Sequence, residues 1–171
     1  VFSICLTVRL LSVITLQASG EFHFILDMLT HARSLRRLEL VSPYLCKPAT
    51  SASRAALGKF QNLESLRLQR FTLGGSVLQQ QIDVRAGHSL AGLSVLELSD
   101  CGIAAREAQH LGALAVYMPN LRELVLPENK LNAAGVEALL RPWREGRLGE
   151  NLRLLDLSRN LLEAAGAFRF S

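Results

Sequence analysis

The chain has 171 residues, 49% of them hydrophobic and only 6% aromatic, with a net charge of +4. That is enough apolar material to bury a substantial aliphatic core, and no low-complexity or disordered stretch interrupts it. A pI of 9.3 is mildly basic, which is compatible with an acidic partner such as nucleic acid and also with many ordinary globular proteins.

Internal repetition organises the sequence. Leu121, Leu124 and Leu126 occupy the first, fourth and sixth places of a unit whose ninth and eleventh places are Asn129 and Leu131, and Leu152, Leu155, Leu157, Asn160 and Leu162 repeat the pattern. The same triple stands at Leu93, Leu96 and Leu98, at Leu63, Leu66 and Leu68, and at Leu35, Leu38 and Leu40, with a looser copy at Leu11, Ile14 and Leu16. Triples at such even spacing are not an accident of a leucine-rich composition. Each unit is expected to contain a short parallel strand whose fourth and sixth residues point into the core while the alternate residues face outward. The ninth-place Asn is expected to satisfy backbone groups where the chain leaves the strand.

In chain order, Val1 to Gly20 has the apolar character of a secretory segment, with Ala18-Ser19-Gly20 resembling a cleavage site, but Arg9 interrupts the run and the first-strand reading is preferred. Helical spacing follows over 21–33. After the second strand, Ser42, Pro43 and Pro48 predict an irregular connection, then a helix through Phe60. The third unit is the least regular, with Phe71 at the Asn place, Gly74-Gly75, and a helix ending before Gly87. Ala104 to Met118 reads as a helix with Ala108, Leu111, Leu114 and Ala115 inward, stopped by Pro119-Asn120. Asn132 is placed to cap the next helix, whose Val136, Leu139 and Leu140 face inward until Pro142 intervenes. Few residues follow Leu162, so the chain is expected to form one repeat array over residues 1–171 that is a fragment, or a subunit lacking end caps.

Chemistry-bearing motifs are missing. No Gly-x-Ser-x-Gly elbow, His-Glu-x-x-His helix or phosphate loop occurs, and His23, His31, His88 and His110 stand singly. Cys5, Cys46 and Cys101 have no zinc or disulfide spacing, and Cys101 falls at an Asn place, where it reads as a buried turn residue. No enzyme, cofactor, metal or small-molecule substrate is expected. A reducing intracellular, cytoplasmic setting fits the cysteines, with a mitochondrial or ciliary assembly as the alternative.

Binding residues are therefore sought on the outward places. Glu39, Arg67, Glu97 and Asp156 hold fifth places, Glu123 a third place, and Arg70 and Asp100 eighth places. Glu39, Arg67 and Glu97 are expected to form an alternating charge ladder. The mixture of signs suits a protein partner better than a phosphate backbone, which calls for a continuous basic lining. A second candidate surface is Arg141, Trp143, Arg144 and Arg147, where basic residues beside an aromatic could contact RNA within an assembly; the alternative there is a solvated connection whose Trp covers the core.

Successive units begin at residues 11, 35, 63, 93, 121 and 152. A unit of about 28 residues leaves space for a whole helix on the far side of the strand. On these motifs the chain resembles the ribonuclease-inhibitor-like class of leucine-rich repeats, found also in NLR receptors, Ran GTPase-activating proteins, tropomodulins and ciliary subunits. It departs from that class in replacing the turn Asn with Ser19, Pro43, Phe71 and Cys101. The resemblance implies an α/β solenoid, a horseshoe arc with parallel strands on the concave side and helices on the convex side. It also implies a noncatalytic protein-binding scaffold, such as a structural subunit of a larger assembly. An RNA-associated ribonucleoprotein subunit and a small-GTPase regulator are the alternatives.

Overall fold

A computed structural model describes residues 13–17, 34–46, 62–72, 90–146 and 151–162. The helices expected over 21–33, before Phe60 and before Gly87, together with His23, His31, His88, Cys5 and Arg147, lie outside the described residues.

Six strands form one sheet in sequence order: β1 (Val13–Gln17), β2 (Arg37–Cys46), β3 (Ser65–Phe71), β4 (Val95–Ser99), β5 (Glu123–Val125) and β6 (Leu154–Asp156). Every neighbouring pair is parallel. The register sets Ile14, Leu38, Leu66, Leu96, Leu124 and Leu155 side by side, one from each strand. Equivalent leucines meet because parallel pairing in register places like residues about 4.8 Å apart. Below β1, Leu38, Leu40, Leu63, Leu66, Leu68, Leu93, Leu96, Leu98, Leu121, Leu124 and Leu126 are all buried. The first, fourth and sixth places thus all point to the same side.

Two helices, α1 (Ala105–Ala115) and α2 (Ala133–Arg144), cover that side behind β4 and β5. Ala108, Leu111, Leu114 and Ala115 of α1 are buried, as are Val136, Leu139 and Leu140 of α2. Each helix has a side-chain device at its start. The Glu107 carboxylate accepts the Ala104 N–H at 3.2 Å, and the Asn132 side-chain oxygen accepts the Gly135 N–H at 2.9 Å. α1 closes with Tyr117 and Met118 amides donating to the Leu114 and Ala115 carbonyls three residues back, a tightened last turn.

Two sequence expectations are corrected. Pro142 does not end α2, which runs two residues further to Arg144; the proline lacks only its own N–H and crowds the turn before it, and it sits buried. The connection expected from Ser42 is, in its described part, a continuation of β2 in extended backbone to Cys46, although its pairing with β3 is irregular between Val41 and Cys46; Pro48 lies outside the described residues.

α1 and α2 approach closely at Gly112, where a Cβ would stand 2.6 Å from the Leu139 carbonyl oxygen and 3.0 Å from that of Ala138. These are backbone atoms that cannot rotate away. Gly112→Ala is therefore expected to lower stability by about 1 to 3 kcal/mol through forced helix separation, even though alanine is the better helix former by about 1 kcal/mol. A urea titration of the variant checks this, and a midpoint at or above that of the parent would refute the packing.

Candidate functional site: the open sheet face

Alternation along each strand leaves the third and fifth places on the face opposite the helices. Ser65 and Arg67 on β3, Val95 and Glu97 on β4, Glu123 and Val125 on β5, and Leu154 and Asp156 on β6 are all half-buried or exposed there, as is Glu39 on β2. The sheet register puts Glu39 opposite Arg67, and Arg67 opposite Glu97. The expected three-member ladder is only half formed: the Arg67 Nε lies 3.6 Å from a Glu97 oxygen, and Glu97 also accepts the Ser99 hydroxyl at 3.0 Å. The two contacts use different oxygens of the Glu97 carboxylate, and exposed pairs of this kind contribute about 0.2 to 1 kcal/mol.

The eighth-place residues of four units, Arg70 near the end of β3 and Asp100, Glu128 and Arg159 just after β4, β5 and β6, all have φ between +51° and +63°. Such left-handed backbone in a residue with a Cβ costs on the order of 1 to 2 kcal/mol, so something must hold it. Asn129, from the turn after β5, supplies that hold for the turn after β4. Its side-chain oxygen accepts the Cys101 and Ile103 amides, each at 3.0 Å, while its amide donates to the Leu98 carbonyl at 2.7 Å and the Pro127 carbonyl at 3.0 Å. Asn160 does the same one strand later, accepting from Leu131 and donating to the Leu126 and Leu157 carbonyls.

The turns project charged side chains in a row along one edge of the open face. Arg70 Nε lies 3.6 Å from Asp100, and Arg159 is ion-paired with Glu128. These two pairs leave Asp100 and Glu128, neighbours in the row, as the acidic middle of the rim. Asp156 forms its own small cap: the Ser158 N–H donates to its Oδ1 at 2.8 Å, and this bond, with the Ser158 hydroxyl, holds the carboxyl below the usual range.

The predicted Asn-place cysteine is fully buried, with its thiol 3.5 Å from the Leu68 carbonyl and 3.4 Å from that of Ser99. Burial pushes the Cys101 thiol up to about 12, which leaves it a structural group with no thiolate character near neutral pH. Among the described residues no cluster of His, Cys, Asp or Glu is arranged to hold a metal ion.

The second candidate surface lies elsewhere. Arg141 and Arg144 are exposed on the last turn of α2, Trp143 is half-buried against the core, and Arg144 faces Glu137 at 3.7 Å. Helical geometry places Trp143 and its two arginines on one short segment, with the indole packed on the core leucines.

The sequence reading passed over two sets of residues. Val95 and Leu154 complete the third-place row beside Glu123, and the period-2 alternation of the strands would have found them. Asn120 and Asn151, just ahead of the first place, donate to the Ala91 and Pro119 carbonyls at 2.7 and 2.9 Å and form a second ladder of amides linking adjacent strand starts.

A family model described as Leucine Rich repeat matches residues 117–140, spanning β5, the Asn129 turn and most of α2. No curated protein matches the chain. The chain thus carries a leucine-rich repeat on an α/β scaffold of parallel strands and helices, a module that in general serves protein–protein interaction without catalysis. No helix among the described residues is long and apolar enough to cross a membrane.

Proposed function

We propose that the chain is a ribonuclease-inhibitor-like solenoid of about six units, acting as a noncatalytic scaffold that holds a protein partner on its concave, strand-lined face. The observation that carries this reading is the division of the sheet: leucines fill one side, while the other presents two ruled rows of side chains from five consecutive strands. A continuous face of that kind offers recognition at regular spacing and no converging nucleophile and base. Charges of both signs occur on it, with acids prevailing from β4 to β6, which fits a protein surface; a stripe that tracks phosphates would be uniformly basic.

Charge reversal tests the reading. Glu97→Lys with Glu123→Lys is expected to weaken capture of a partner from cell extract by about tenfold, as loss of complementary charges at an interface does, with only a small fall in melting temperature, since the Arg67 pair and the Ser99 bond that Glu97 gives up lie at the partly exposed sheet face. Capture that survives the double reversal would exclude the open face as the contact surface.

A further inference from the structure

The third and fifth places of β4, β5 and β6 form a regular pattern. Across the strands the third places read Val95, Glu123, Leu154 and the fifth places read Glu97, Val125, Asp156, in direct register. Apolar and carboxylate side chains therefore alternate in both directions, at about 4.8 Å between strands and roughly 7 Å along them. Leu154 is 47% exposed, a large apolar side chain left uncovered among acids. Of the three acids, Glu97 is occupied by Arg67 and Ser99, whereas Glu123 and Asp156 make no ion pair with any described residue. Of the nearby cations, Arg70 is paired with Asp100 and Arg159 with Glu128, while Arg122 and Arg153 stand exposed one residue ahead of the pattern at the strand starts and make no ion pair with Glu123 or Asp156.

We propose that this checkerboard docks a basic, amphipathic segment of a protein partner, one in which lysine or arginine alternates with apolar side chains. The proposal rests on the open-face reading above and names the chemistry of what is held there. A purely apolar partner would strip water from Glu123 and Asp156 and leave them unpaired, which is strongly unfavourable. An acidic partner or a nucleic acid would meet three carboxylates. A long basic side chain satisfies both halves of the pattern, laying its methylene stem across Val125 or Leu154 while its cationic head reaches the neighbouring acid. Seating the stems also removes water around the ion pairs and strengthens them.

The test uses the full chain and three fluorescein-labelled nonapeptides read by fluorescence anisotropy: one alternating lysine with leucine and alanine, its glutamate-for-lysine counterpart, and an all-lysine nonamer. The alternating basic peptide is expected to bind at least about tenfold more tightly than the acidic one and about fivefold more tightly than the all-lysine one, since ion pairs and apolar contacts both contribute. Glu123→Lys and Asp156→Lys should each weaken it by about fivefold, while Glu137→Lys, the same charge change on the exposed side of α2, should leave it unaltered. Equal binding of the alternating and all-lysine peptides, or no effect of the two sheet substitutions relative to Glu137→Lys, overturns the proposal. If the basic peptide fails while Glu97→Lys with Glu123→Lys still abolishes partner capture, the partner's chemistry is wrong and the open-face reading stands. Loss of neither signal removes both.

Discussion

Leu124→Ala is expected to be among the most damaging single substitutions in the chain, lowering stability by about 2 to 5 kcal/mol. Leu124 is fully buried in the middle of the row of fourth-place leucines, with Leu96 on one side and Leu155 on the other, and the helices above it leave no solvent to fill the space. Truncation removes apolar contact in three directions at once, and the strands on either side cannot collapse inward without losing register. Arg122→Ala, two residues away but exposed, is expected to change stability by less than about 0.5 kcal/mol. Leu155→Ala should fall between them. The sequence pattern alone ranks Leu155 with Leu124, but Leu155 is only half-buried, so part of its side chain already faces solvent. Urea denaturation of the three variants checks the order, and equal losses at 122 and 124 would overturn the assigned register.

The second large effect is expected at a polar residue. Asn129→Ala removes four hydrogen bonds from a site that is 5% exposed, leaving the Cys101 and Ile103 amides and the Leu98 carbonyl in a buried turn without that partner. Each buried group left unsatisfied costs about 1 to 3 kcal/mol, so the total loss should be on the order of 3 kcal/mol, comparable to a core leucine. Asn160→Ala should cost markedly less, because Asn160 is half-buried and water can take over part of its role. Thermal melting of the two variants gives the comparison. A loss at position 160 as large as that at 129 would show that burial does not set the value of these amides.

Much of this architecture was legible because repetition converts spacing into geometry. When Leu66, Leu96 and Leu124 recur at the same place in successive units, parallel pairing leaves them no position but side by side, and the register follows. The buried Cys101 was readable for the same reason, as a place in a pattern where its copies carry Asn. What escaped depended on distances between units that no local rule contains. Asn120, beside Pro119, reads as a helix stop, yet its amide reaches the Ala91 carbonyl 29 positions earlier. Pro142 reads as a break, but a proline removes only its own N–H and crowds the turn before it, and α2 carries on past it to Arg144. The Arg67 guanidinium had two register neighbours of opposite charge, and the Ser99 hydroxyl on Glu97 marks the side to which it turned. The αL turns at Arg70, Asp100, Glu128 and Arg159 were hidden because no glycine advertises them.

The amide ladders have a direction. The Arg36 carbonyl receives the Glu64 and Ser65 amides, that of Glu64 receives Ser94 and Val95, that of Ser94 receives Arg122 and Glu123, and that of Arg122 receives Arg153 and Leu154. Asn129 and Asn160 likewise reach back to finish the bend made by the preceding strand. Among the described residues the layers from β2 to β5 are thus completed in large part by their successors. Order spreads through such a chain as a relay, and a fault late in the sequence is inherited by the layers before it.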